Sequence, residues 1–159
     1  MNKITISLFL AAATILSGCA GTAAKTQSSY QLQPNDKFKL RLNTPTDTNQ
    51  EAVTILRNRL TDQLAKNGLL APESDASART LEVNVTNYRM RHGSARALAG
   101  IFAGKDNIQS TTKIKDATNV GTISEFAVES TNPSAWGTSR GLIEEHADTV
   151  VQTLKGKRG

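Results

Sequence analysis

The chain has 159 residues, one cysteine, two histidines and a formal charge of +5. That length suits one domain. A lone cysteine excludes an internal disulfide and a cysteine zinc cluster, and two histidines leave too few ligands for a multi-histidine metal site.

The first element is a targeting segment. Lys3 supplies a positive start, and Ile4 to Leu16 is an almost unbroken apolar run. The run is shorter than the roughly 20 residues a membrane-spanning helix needs, and it ends in small residues, as signal peptides do. It closes on Leu16, Ser17, Gly18 and Cys19. This quartet resembles the bacterial lipobox, which implies cleavage after residue 18 and a covalent lipid on Cys19. Burying acyl methylenes is worth about 0.8 kcal/mol each, so more than one chain holds a protein firmly on a bilayer. Ala20 stands where an aspartate would resemble an inner-membrane retention signal. The implied location is the outer membrane, with the domain facing the periplasm. The mature chain would keep 141 residues and a charge of +4, since Lys3 is lost with the signal. Leu, Ile, Val and Phe make up 28 of those 141 residues, close to the roughly 20% floor for a folded domain, so the core is expected to be lean.

Residues 19–35 are small and polar without period and read as a lipidated cysteine followed by a flexible linker, ahead of a single domain over 36–155. Phe38, Leu40 and Leu42 alternate with Lys37, Lys39 and Arg41, a half-buried strand with a basic outer face. Thr48 and Glu51 have capping-box spacing, with Thr48 at the N-cap. Val53, Leu56, Leu60 and Leu64 follow at helical spacing, and Asn67-Gly68 supplies the stop. Leu81, Val83 and Val85 form a second strand. The apolar phase then moves to Tyr88 and Met90, which predicts a bulge or strand end near Asn87. Residues 108–115 and 120–129 read as a hairpin turning on Asp116 to Asn119. Leu142, Ile143, Ala147, Val150, Val151 and Leu154 mark a terminal helix, and 156–159 is a basic tail. A strand–helix–strand start requires a crossover, so the first two strands are expected to be parallel neighbours. The order β-α-β-β-β-α predicts an α/β (α+β) fold: a small mixed sheet with two helices packed on one face.

The chemistry-bearing motifs are few. Gly100 to Asp106 has two glycines and a lysine, but the spacing is one residue short of a phosphate loop and Asp106 replaces the hydroxyl residue that would meet magnesium. Arg89, Arg91 and Arg96, with His92, form the densest basic cluster and are candidate contacts for anions or a partner's carboxylates. The simpler reading pairs them with Glu82 or Glu125 on a solvated loop. His92 and His146 have no nucleophile motif around Ser94 or Ser139, and His146, beside Glu144 and Glu145, reads as exposed. Trp136 is expected to pack against the domain. No catalytic residue, metal or cofactor is expected beyond the lipid on Cys19. The basic pI of 9.6 is no argument for nucleic acid in a chain bound for the envelope.

From Phe38 to Leu154 the pieces form a recognisable series: a basic strand, a helix ending Leu64-Ala65-Lys66-Asn67-Gly68-Leu69, the Leu81-Glu82-Val83 strand, a Gly- and Arg-rich stretch over 96–104, a hairpin with Asp116-Ala117-Thr118, and a last helix. This resembles the small bacterial lipoproteins grouped as domain of unknown function 4410. The group usually turns its hairpin on Thr-Gly; here Asn119 follows Thr118. The resemblance implies a lipoprotein and an α/β domain, and carries no activity. The functional expectation is a non-enzymatic binding or assembly accessory of the envelope, held on the membrane by its lipid and contacting an envelope protein. Its rivals are an obligate subunit of a larger envelope transport or assembly complex and, last, an envelope enzyme.

Overall fold

The computed structural model describes residues 21–25, 28–90, 105–132 and 138–156. Seven elements run in order: β1 (Gly21–Ala24), β2 (Phe38–Asn43), α1 (Gln50–Lys66), β3 (Arg79–Arg89), β4 (Asp106–Lys115), β5 (Thr122–Asn132) and α2 (Ser139–Leu154). The strands form one five-stranded sheet in the order β1-β5-β4-β3-β2. The β2–β3 pair is parallel, as the intervening helix requires, and every other pair is antiparallel. This is the small mixed α+β sheet that the pattern predicts.

One strand is additional. Residues 21–24 fall in the stretch read as linker, yet they pair with β5 from Gly21–Thr131 to Ala24–Val128. Gly-Thr-Ala-Ala has no apolar alternation, because an edge strand of small residues is held by its backbone ladder and not by a buried face. Tyr30 and Leu32, also in that stretch, pack against the core.

Alternation sets the two faces. Leu81, Val83 and Val85 of β3, Ile108 and Ile114 of β4, and Phe126 and Val128 of β5 are buried beneath the helices. Leu56, Leu60 and Leu64 of α1, and Ile143, Ala147, Val150 and Leu154 of α2, supply the other half of the core. The same face carries Ser110, Thr112, Ser124 and Ser130, all buried, so the core is polar as well as lean. The opposite face is a polar lattice in which Lys115 meets Glu82 at 3.1 Å and Lys113 meets Glu125 at 3.6 Å.

Helix boundaries follow local chemistry. The N-cap of α1 is Asn49, not Thr48: its side-chain oxygen accepts from the backbone N–H of Glu51 at 2.8 Å and of Ala52 at 3.3 Å. Asn caps as well as Thr, so the helix starts one residue later than the capping-box spacing implies. Gly68, with φ +68°, ends α1, and Leu69 N–H returns to Leu64 C=O at 2.8 Å. That is the expected left-handed stop, with Leu69 folded back into the core. The β3–β4 register shifts between Val85 and Asn87, which places the predicted bulge at Thr86.

Candidate functional site

Register brings the predicted basic position to one end of the sheet. Gly21 is opposite Thr131, Thr131 is opposite Asn107, and Asn107 is opposite Arg89. Arg89 is therefore the last residue of β3, exposed, on the cross-strand row that begins at Gly21. Six residues of strand separate it from Glu82, whose carboxylate is engaged by Asn84 and Lys115. Those contacts hold Glu82 below the usual carboxylate range. Glu125 meets Lys113. The expected pairing of Arg89 with Glu82 or Glu125 is thus replaced: lysines one strand away on the same face reach those acids first.

Arg89 lines an open groove of about 690 Å³ between the end of β3 and the first turns of both helices. Ile55, Tyr88, Met90 and Ile143 give it an apolar floor, and Arg140 stands on the α2 side. Asp47 and Glu51 line the α1 side. Burial, then the charge of Glu51, raises the Tyr88 phenol above its ordinary value, so it is a neutral donor there. The groove can receive a group with an apolar body and an anionic head. Arg91, Arg96, His92, Trp136, Gly100 to Gly104, the lipobox residues Leu16, Ser17 and Gly18, Cys19 and Ala20 lie outside the described residues.

His146 is the largest departure from expectation. It is fully buried, not exposed, and it sits under the sheet between two serines. Nε2 lies 2.8 Å from Ser110 Oγ and Nδ1 lies 2.7 Å from Ser130 Oγ. Thr22 Oγ1 donates to Ser130 Oγ at 2.8 Å. Each ring nitrogen thus has a hydroxyl partner, and the tautomer sets which of them donates and which accepts. Burial pushes the imidazole down to about 4, so it is neutral at physiological pH. Among the described residues, the partners of the two ring nitrogens are the serine hydroxyls, not a carboxylate. This constellation has the residue types of a hydrolase site and none of its access or polarisation. A sequence signal existed: Leu142, Ile143, His146, Ala147 and Val150 share one helical stripe.

A second cluster, which sequence reasoning missed, fixes the supposed linker. Tyr30 Oη donates to Asp36 Oδ2 at 2.5 Å, and Gln33 N–H donates to the same oxygen at 2.6 Å. Arg79 pairs with Asp36 Oδ1, and its guanidinium carbon lies 5.3 Å from the Tyr30 ring centroid. Burial and the Asp36 hydrogen bond push the phenol up to about 12. The partners are far apart in sequence, and no local pattern announces them.

Among the described residues no group of three or more His, Cys, Asp or Glu side chains could hold a metal ion, and no helix is long and apolar enough to cross a membrane.

The model of the family described as domain of unknown function DUF4410 matches residues 22–137. No curated protein matches the chain. Among solved structures, a variant PelC dodecamer from Paraburkholderia phytofirmans has a similar fold, with a TM-score of 0.61 and 16% identity over 84% of this chain and 97% of that one. A second PelC dodecamer structure from the same organism gives a TM-score of 0.59 and 15% identity, covering 84% and 96% of the two chains. A minor lipoprotein from Acinetobacter baumannii, at 16% identity, covers 77% of this chain and 98% of its own with a TM-score of 0.45.

Proposed function

The chain belongs to the family described as domain of unknown function DUF4410, and from that premise we propose that it is a lipid-anchored envelope protein. In this reading it sits on the outer membrane, faces the periplasm and acts as a non-enzymatic binding or assembly accessory. The anchor rests on Leu16-Ser17-Gly18-Cys19 at the end of an apolar run, and the outer-membrane address on Ala20. The observation that carries the accessory role is the open groove at Arg89. It offers arginine and aromatic contacts at the surface, while the one described histidine is sealed in the core between hydroxyls. That combination supports recognition more than turnover.

Cys19→Ser should abolish palmitate incorporation and release the protein from the membrane fraction. Incorporation that survives this change would overturn the anchor. Ala20→Asp should retain the protein in the inner membrane. Unchanged outer-membrane recovery would overturn the sorting reading.

A second reading, a subunit of a larger envelope assembly, draws support from the two dodecamers of similar fold. Crosslinking in intact cells should then trap stoichiometric copies of this chain or of one membrane protein. A ladder of substoichiometric partners would instead favour the accessory reading.

A further inference from the structure

We propose that the end of the domain carrying Gly21, Arg89 and Arg140 rests on the anionic phosphates of the bilayer to which the chain is anchored. The inference builds on the lipid-anchored reading above. Its basis is the length of chain between anchor and fold. Only Ala20 separates Cys19 from Gly21, so their Cα atoms are at most about 7 Å apart. Gly21 is already paired in the sheet. The domain therefore has no spacer on which to float, and the end that holds Gly21 is drawn to the lipid surface.

Three strand spacings of about 4.8 Å place Arg89 roughly 14 Å along the row from Gly21, at the same level of the sheet. Both helices begin at this end, with N-caps Asn49 and Thr138, so their positive poles point the same way. Arg140 opens α2 beside the groove, and a smaller groove of about 280 Å³ runs from Gly21 and Thr131 to Gly141. The end also carries Asp47, Glu51 and Glu145, so charge alone does not select the occupant. The tether does, and the arginines then meet phosphate oxygens as bidentate donors. Strands of ten or eleven residues hold the β4–β5 turn at Ala117 about 30 Å further from the bilayer.

The test uses the full lipidated chain in phosphatidylglycerol vesicles. Because Cys19 carries the lipid, a fluorophore can be placed on one new cysteine, Lys105→Cys at the near end or Ala117→Cys at the far turn; both positions are exposed. Flotation comes first, and a chain that does not float sinks the anchor reading itself. In floating protein, a headgroup-attached quencher should extinguish the label at 105 and spare the label at 117. Equal quenching, or the reverse order, would overturn the orientation. Arg89→Gln with Arg140→Gln should weaken quenching at 105 without reducing flotation; no change would remove the arginines from the contact. Protection of position 105 that disappears on lowering the protein-to-lipid ratio would assign this end to a second copy of the chain, against the proposal.

Discussion

The Nδ1 atom of His146 lies 2.7 Å from Ser130 Oγ, and Ser130 in turn accepts from Thr22 in the strand nearest the amino terminus. One buried imidazole thus ties α2 through β5 to β1. Its burial has a definite pH signature. The folded value is about 4 against 6.5 for a free imidazole. Above pH 6.5 neither state is charged and the core is undisturbed. Between 6.5 and 4 the unfolded chain takes up a proton that the folded chain refuses, so stability falls as the pH falls. The loss between pH 7.5 and 4.5 is expected to be about 2–3 kcal/mol. His146→Gln, which still hydrogen-bonds but does not titrate, should flatten that part of the profile in urea denaturation. An identical slope in both proteins would refute the assignment.

Arg59 on α1 meets Asp148 on α2 through two bonds, Nε–Oδ1 and Nη2–Oδ2, each 2.7 Å. The side chains are 39% and 27% exposed, so solvent screening limits the gain. A double-mutant cycle with Arg59→Ala and Asp148→Ala should return a coupling of about 0.5–1 kcal/mol, and less in high salt. A coupling that salt leaves untouched would contradict a screened pair.

Tyr30→Phe removes one of the hydrogen bonds at Asp36 and keeps the Arg79 pair. A cost of about 1 kcal/mol is expected. Asp36→Ala should cost more, about 2–3 kcal/mol, because it strips partners from Tyr30, Arg79 and Gln33 N–H together. The phenol adds a spectroscopic check. Its folded value near 12 exceeds the ordinary 10, so its contribution is complete below pH 10 and is lost as pH rises through 12. Absorbance titration of the native protein should show Tyr30 ionising late, and Tyr30→Phe should delete that step.

Two glycines separate backbone strain from steric conflict. Gly68 has φ +68° with open space where a Cβ would point, so Gly68→Ala should cost about 1 kcal/mol through conformation alone. Gly121 has no positive φ, but an added Cβ would stand 2.6 Å from Asp116 Oδ2, which accepts from Gly121 N–H at 3.1 Å. Gly121→Ala should therefore push the Asp116 carboxylate off its hydrogen bonds. Contacts from Thr118, Val120 and Gly121 hold that carboxyl below its ordinary range. An upward shift of the Asp116 titration, followed by NMR, checks this.

What was legible from the residues depended on how local its cause is. Leu56, Leu60 and Leu64 repeat on one stripe, and Gly68 stops it, so α1 could be read directly. The parallel pairing of β2 and β3 followed from the helix between them. β1 could not be read, because Gly-Thr-Ala-Ala gains its order only from β5, more than a hundred residues later. Asp36 carries no local signal at the start of the domain, because both partners that bury it, Tyr30 and Arg79, are set by the tertiary fold. His146 was misread for a different reason. Glu144 and Glu145 beside it carry charge, while Leu142 and Val150, four residues before and after it, mark the core face. Arg89 stands out in the sequence by its charge, but the groove it lines depends on α1 and α2 meeting at the end of β3, which no short motif encodes.

The pairing of Gly21 with Thr131 has a kinetic consequence. The ladder between β4 and β5 is a hairpin and closes a short loop, whereas even the nearest β1–β5 pair, Ala24–Val128, closes a loop of more than a hundred residues. Loop-closure entropy grows with length and contacts of long range slow folding. With only four residues to hold it, β1 completes the sheet after its neighbour is built. The amino-terminal strand is thus expected to dock late, because its native ladder does not exist until β5 is in place.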